Sequence, residues 1–252
     1  MDEKHCVIDP PLQSGSMYYN YKGNYSVVLL ALVDAQLRFI YVDVGTNGRV
    51  SDSGVWNKCS FKNHLDKDTL HIPPPAPLPG TQDNFPFVII GDEGFTLSEK
   101  LLIPYLRPQC SGNIRRSIFN YRLSRARRCS ENAFGVMAAR FQIFRSAMRY
   151  DPDDASKIIL SVCCLHNMLR SQSVGRLMYT PPSFLDGEDE ISGQIRHGEW
   201  RSESAGGMIN LTHQGGNRHP NQAIALTIRD KWCDYFNTVG AVSWQERMVR
   251  MQ

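Results

Sequence analysis

The sequence predicts an α/β layered domain, and three observations carry that expectation. Two adjacent apolar runs rich in β-branched residues, Tyr25 to Val33 and Leu37 to Val44, read as neighbouring strands covered on both faces. Phe134, Met137, Ala138, Phe141, Phe144 and Met148 recur at helical spacing and form one apolar stripe. Asp151-Pro152-Asp153-Asp154 is a cap followed by proline at the first helical position and acids in the first turn, opening an apolar helix. Strands first and helices after them give a layered α/β unit, and 252 residues suffice to bury a sizeable core.

Taken in order, Asp34-Ala35-Gln36 is short enough to join the first two strands as a hairpin. Gly45 to Gly48 is expected to end the second strand, and Ser51-Asp52 to cap a helix running to about Leu65. Asp66 to Pro86 holds six prolines and reads as a surface loop. Phe87 to Ile90 is a short buried strand ending in Gly91-Asp92-Glu93-Gly94, and Leu97 to Tyr105 a short helix. The stripe predicts a helix over Arg122 to Met148, and the capped helix spans Ala155 to Arg170. Asp186 to Pro220, rich in Gly, Ser, Asn and charge, reads as a flexible linker. A last amphipathic helix near Gln222 to Asn237 puts Ala225, Ile228, Trp232 and Tyr235 on one side and is expected to dock back. The expected organisation is a domain over 1–171, a flexible linker over 172–220, and a docking helix with its tail over 221–252.

Composition narrows the function classes. The hydrophobic fraction of 42 % and charged fraction of 21 % are those of an ordinary globular chain. The longest apolar run, Val27 to Val33, is far short of a membrane span, so no membrane role is expected. No charged segment followed by an apolar one opens the chain, so secretion is not expected either. The seven cysteines are odd in number and show no Cys-x-x-Cys, which argues against a disulfide scaffold or zinc module and for a reducing compartment. The net charge of +3 hides an asymmetry. Arg115 to Arg149 holds nine arginines against one acid, Glu131, a surplus of eight that leaves −5 for the remainder. Such a stretch suggests a polyanion, most simply nucleic acid. The competing reading is a solvated face, or arginines paired with acids elsewhere in the fold.

Among the acids, three stand out. Asp92 follows a buried strand and sits between two glycines, where a carboxylate projects into a ligand crevice or satisfies turn amides. Glu131 lies three residues before Phe134, on the stripe side of its helix, and Gly135 removes bulk beside it. A carboxylate aimed inward needs a metal or a cation such as Arg127 or Arg128. Asp2 opens an Asp-Glu-Lys-His-Cys-Val-Ile run that reads as the exit of a first strand or as a simply exposed terminus.

Read together, the motifs resemble the DDE domain of PIF/Harbinger-type transposases and the domesticated nucleases derived from them. The similarity runs from Asp2-Glu3-Lys4-His5 and Pro10-Pro11-Leu12 to Lys22-Gly23, through Gly48-Arg49-Val50-Ser51-Asp52-Ser53 and Ile90-Gly91-Asp92-Glu93-Gly94-Phe95. It continues in Ser130-Glu131-Asn132-Ala133-Phe134-Gly135, Cys164-Leu165-His166-Asn167 and Val242-Ser243-Trp244-Gln245. The blocks occur in order over nearly the whole chain. The resemblance implies that Asp2, Asp92 and Glu131 are the catalytic and metal-binding triad, and that the fold is an RNase H-like mixed sheet flanked by helices. There the first Asp is on strand one, the second follows strand four and the Glu is on a later helix.

The implied chemistry is two-metal hydrolysis of a phosphodiester by a DNA endonuclease, with two Mg²⁺ or Mn²⁺ ions relieving the repulsion among three carboxylates. Asp52 is a second-tier metal ligand, more readily explained as a helix cap. His5, three residues from Asp2, would face away from it on a strand. Lys22, Arg125 and Arg128 are the expected DNA contacts, and Tyr18, Tyr19 and Tyr21 either stack on a base or pack at a strand edge. DNA is the implied substrate, a Myb-like protein the implied sequence reader, and the nucleus the implied location, with the cytoplasm as the alternative.

Two departures from the family pattern bear on activity. Glu3 stands where the family commonly has Gly, and the chain starts one residue before Asp2, so the first strand is expected to be truncated and Asp2 to fray. Two function classes therefore stand side by side. One is an active nuclease, and the other a catalytically impaired, domesticated relic serving as a DNA- or protein-binding module.

Overall fold

The computed structural model describes residues 1–189, 191–203, 206–210 and 223–251, with Asp52 described in its backbone alone. It divides the chain into two compact units, one of Met1–Cys59, Arg128–Gly187 and Ile195–Thr212, the other of Ser60–Arg127, Glu188–Gln194 and His213–Gln252.

The first unit is built on four strands. β1 (Asp2–Val7) pairs with β2 (Ser26–Val33) along its whole length, from Asp2 opposite Ala31 to Val7 opposite Ser26. Asp2 is thus held in the ladder and buried, where fraying was expected, and it stands at the entry of its strand instead of the exit. β2 joins β3 (Phe39–Asn47) through the expected hairpin. Asp34 Oδ1 accepts from the Gln36 and Arg38 N–H groups at 2.9 Å each, and Leu37 takes a left-handed φ of 64°. Gly45 does not end β3. Val28 pairs with Thr46 and Leu29 with Val44, so Gly45 is the extra residue of a bulge, at φ 112° where a side chain would be strained.

Helices cover one face of this sheet. The continuous helix that bears the stripe spans Ile114–Arg140, beginning earlier and ending sooner than the spacing predicted. Its C-terminal half buries Phe134, Met137 and Ala138 against Cys6, Val27, Leu29 and Ala31. The capped helix spans Pro152–Ser171 as expected, with Asp151 accepting from the Asp153 and Asp154 N–H groups at 3.0 Å, and adds Ile159, Val162 and Cys163. The expected helix after Ser51 is two, α1 (Asp52–Lys58) and α2 (Ser60–Asp66), because Cys59 is extended at ψ 147°.

The second unit has shorter elements. β4 (Ala76–Pro77) and β5 (Asn84–Phe85) form a small antiparallel pair within the proline-rich loop. β6 (Ile89–Ile90) runs parallel to β7 (Leu101–Leu102), so the segment expected as a helix over Leu97 to Tyr105 holds a strand instead. Next come α3 (Arg107–Cys110) and the first half of α4, the Ile114–Arg140 helix. In this numbering the capped helix is α5. The strand preceding Asp92 is therefore not a member of the four-stranded sheet. That sheet is antiparallel throughout, where the resemblance implied a mixed one.

Residues 172–220, expected as a linker, carry several short elements of regular structure among those described. They hold α6 (Ser173–Tyr179), β8 (Gly187–Glu188), β9 (Ile195–Arg196), α7 (Trp200–Glu203) and β10 (Met208–Ile209), and the rest of the expected linker, 190, 204–205 and 211–220, lies outside the described residues. β10 takes the outer edge of β1, giving the order β10-β1-β2-β3. The final amphipathic helix is α8 (Ala223–Phe236), followed by α9 (Gln245–Arg250). Ala225 and Cys233 of α8 pack with Tyr105, Phe119 and Leu123, with Ile228, Trp232 and Phe236 beside them, so the expected docking occurs within the second unit.

Candidate active site

β1 places four ionisable side chains in a row, Asp2-Glu3-Lys4-His5, and all four are buried. Such burial is costly unless charge meets charge, and strand alternation supplies the partners. On one face Lys4 Nζ donates to Asp2 Oδ2 at 3.1 Å, while Asp2 Oδ1 accepts the Glu3 N–H at 3.0 Å. On the other face His5 Nε2 sits 3.5 Å from Glu3 Oε1, and His5 Nδ1 is 2.9 Å from Ser26 Oγ. His5 thus faces away from Asp2, as the alternation predicted. Glu3, which stands where the resemblance implies a glycine, lies on the His5 side of the strand and not beside Asp2.

Lys4 reaches across toward α4. Its Nζ lies 5.2 Å from the centre of the Phe134 ring and donates to Asn210 Oδ1. Here a pocket of about 180 Å³ opens, lined by Lys4, Glu131, Gly135, Trp200, Arg201 and Asn210 among others. Glu131 faces it from the stripe side of α4, as read from the sequence. Its neighbouring cation is neither Arg127 nor Arg128 but Arg201, whose guanidinium is 3.7 Å from Glu131 Oε2. Gly135 does remove bulk, and the space is filled by Trp200, since a Cβ there would fall 2.3 Å from the indole.

Arg201 is itself fixed by Asp186. Its Nη2 donates to Asp186 Oδ2 at 2.5 Å and its Nε to Oδ1 at 2.9 Å, a fork on a fully buried carboxylate. Burial pushes the Asp186 carboxyl up, but the Arg201 hydrogen bonds and the Gly198 N–H outweigh it and hold the group below the usual carboxylate range. The same hydrogen bonds raise Arg201. Asn132, adjacent to Glu131, ties this corner together: it exchanges hydrogen bonds with the Asp186 backbone and accepts from Trp200 Nε1 at 3.0 Å. The sequence pattern did not single out Lys4, Asp186, Trp200 or Arg201. Lys4 was readable, because it is two residues from Asp2 on a strand.

Asp92 belongs to the second unit. Its Oδ1 accepts the Gly94 N–H at 2.9 Å, the turn-amide role weighed above, and its Oδ2 is 3.7 Å from Arg127. Within either unit, no three His, Cys, Asp or Glu side chains among the described residues gather closely enough to share a metal ion. The side chain of Asp52 lies outside the described residues.

Several arginines of the basic segment are engaged within the fold. Arg115 pairs with Asp234 at 2.6 Å, Arg125 with Glu188 at 2.7 Å, and Arg122 donates to the Gly240 carbonyl at 2.8 Å while covering the Phe236 ring. Arg140 donates to the Tyr179 carbonyl and stacks on Phe184. Arg128 is half-buried. Lys22 is exposed and donates to the Asn210 carbonyl at 2.8 Å. Of the three tyrosines, Tyr18 packs against the sheet core, Tyr19 contacts the Tyr25 ring edge-on, and Tyr21 is exposed.

The family described as DDE superfamily endonuclease matches residues 1–167. The chain belongs to that family. This DDE-family chain is 28 % identical over 172 residues to "Protein ALP1-like" of Arabidopsis thaliana, covering 67 % of the chain and 42 % of that protein. It is 25 % identical over 197 residues to "Putative nuclease HARBI1" of Mus musculus, covering 74 % and 50 %, and 25 % identical over 167 residues to the Homo sapiens protein of that name, covering 65 % and 43 %. The chain spans half or less of the length of these curated relatives. No solved structure matches it. No helix among the described residues is long and apolar enough to cross a membrane. The family match ends inside α5, so the Asp186–Arg201 pair and Trp200 lie beyond the matched residues.

Proposed function

We propose that this DDE-family chain is a metal-dependent DNA endonuclease of transposase descent, hydrolysing phosphodiester bonds with Asp2, Asp92 and Glu131 on an RNase H-like scaffold. The observation that supports it most is the Glu131 pocket of the first unit, which also holds Lys4, the cation bonded to Asp2. Three carboxylates are the all-oxygen donor set that Mg²⁺ or Mn²⁺ takes. Their chemistry suits such ions, and access differs among them. Glu131 and Asp92 are only partly buried, with the Arg201 and Arg127 guanidiniums at 3.7 Å. Asp2 is buried and would have to exchange Lys4 for a metal. A pair of such ions, when bound, activates the attacking water and stabilises the leaving oxygen.

The chain's own side chains supply the rest. Lys4 and Arg201 present positive charge to a phosphate entering the pocket, and the Asp186 fork holds Arg201 in one orientation. Trp200 walls the pocket beside Gly135. Lys22, Arg125 and Arg128 are proposed to grip the DNA backbone, Arg125 after exchanging Glu188 for phosphate. Asp52 remains a secondary candidate for metal contact. A Myb-like protein as sequence reader and a nuclear location, or alternatively a cytoplasmic one, belong to the same proposal.

A second reading is favoured by one specific observation. Each acid of the triad has a basic neighbour of its own, Lys4 for Asp2, Arg127 for Asp92 and Arg201 for Glu131. A protein that kept these pairs closed would be a DNA- or protein-binding module without cleavage. Nicking of supercoiled plasmid in Mg²⁺ or Mn²⁺ separates the readings. The nuclease cuts, and Asp92→Asn and Glu131→Gln each cut roughly a hundredfold or more slower. Equal cutting by the variants removes the triad assignment, and plasmid binding without cutting by the unaltered chain establishes the module.

A further inference from the structure

The proline-rich segment of the second unit has no part in the proposed cleavage. From Ile72 to Pro79 every residue is a proline or directly precedes one. Proline fixes its own φ near about −65° and pushes the residue before it out of the helical region. Covalent structure alone therefore favours a left-handed polyproline II ridge here, with three residues per turn. Burial follows that period. Ile72 and Leu78, two turns apart on one ridge, are half-buried, whereas Pro74 and Pro77, one turn apart on the next, are exposed, as are Pro73, Pro75 and Pro79. The far end is pinned to α8. Ala76 pairs with Phe85 and Pro77 with Asn84, and Phe85 is buried against the Trp232 and Tyr235 rings at 5.2 and 5.4 Å. The Tyr235 hydroxyl donates to the Pro79 carbonyl at 3.1 Å. A ridge held in this way has little freedom left to lose on binding.

We propose that residues 71–77 dock in the aromatic groove of an SH3-type domain. The chemistry of the ridge identifies that partner. Prolines offer ring faces and carbonyls but no N–H groups, and grooves lined by aromatic side chains read such a surface. Pro74 and Pro77 stand at Pro-x-x-Pro spacing, and Pro73 and Ala76 precede them to complete two successive slots. Charge sets the direction. His71, exposed and three residues before Pro74, is the only ionisable side chain from Thr69 to Gln82, so the complementary groove carries an acid at that end. This docking does not depend on the nuclease reading.

The test follows the amide spectrum of an isotope-labelled SH3 domain, one that selects basic-x-x-Pro-x-x-Pro peptides, as unlabelled full chain is added. Saturable shifts at the groove residues are expected. Pro74→Ala and Pro77→Ala each weaken binding about tenfold with unchanged circular dichroism of the chain. Pro75→Ala, on the ridge of Ile72 and Leu78, changes it by less than about twofold, and His71→Arg tightens it several-fold. The full chain binds more tightly than an isolated peptide of residues 69–81, because its ridge is already held. Absence of a saturable shift overturns the proposal, as does equal weakening by Pro75→Ala and Pro74→Ala. A peptide that binds more tightly than the chain overturns it as well, since the ridge is then covered in the folded unit.

Discussion

The two halves of α4 belong to different units and use their residues in opposite ways. The first half, to Arg127, is arginine-rich, and its guanidiniums are satisfied by aromatic faces, carbonyls and acids of the second unit: Arg116 over Tyr105, Arg122 over Phe236, Arg125 on Glu188. The second half is apolar on its buried side, with Phe134 tilted against Phe39 at 5.5 Å, and it carries one acid into a pocket. A charge run is thus not by itself a nucleic-acid surface. Much of the +8 segment holds its own unit together, and the positive charge lining the Glu131 pocket comes from Lys4 and Arg201, which lie outside that segment.

This contrast can be broken by measurement. In the second half, Phe134→Ala empties a site 1 % exposed and should cost about 3–5 kcal/mol in denaturant unfolding. The ring's neighbourhood extends through Phe39 to His166, 4.9 Å further on. Burial lowers the His166 pKa from 6.5 to about 4, against the raising effect of the Leu37 carbonyl. Because the folded form resists the proton that the unfolded chain accepts, stability is complete above about pH 6.5 and falls as pH drops toward 4. The loss should reach roughly 3 kcal/mol and flatten in His166→Gln. Gly135→Ala drives a methyl into Trp200 and should cost about 1–3 kcal/mol with a shift in tryptophan emission.

In the first half, Arg122→Ala removes a stacked guanidinium with two hydrogen-bond acceptors and should cost about 1–2 kcal/mol. If instead it weakens DNA binding and leaves stability unchanged, the contrast fails. Arg115→Ala breaks an exposed pair with Asp234 and should change stability by less than about 0.5 kcal/mol.

Legibility followed the range of the interactions. β2, its hairpin and the Asp151 cap were readable, because a continuous apolar run and an N-cap are local statements. Gly45 misled because a glycine can serve as a bulge as well as a break. Leu97 to Tyr105 misled because a short apolar stretch has no length to tell helix from strand, and Leu101–Leu102 takes its conformation from Ile89–Ile90. At the candidate site, Glu131's inward aim came from helical spacing alone. Its partner did not, since Arg201 sits 70 residues on in a polar stretch whose order comes from Asp186 and Asn132. Asp2 was found through family resemblance, and nothing local marks it as buried.

The arrangement of β10 has a consequence for how the chain is made. The strand that closes the outer edge of β1 is Met208–Ile209, some two hundred residues later in the sequence. A ribosome releases β1, β2 and β3 long before it, so the nascent sheet waits with one row of backbone groups unmatched, a template for pairing with a neighbouring chain. The cover over His5 and Cys6 on that edge thus comes from a segment far along the sequence, and until it is in place the edge is open to pairing with another chain.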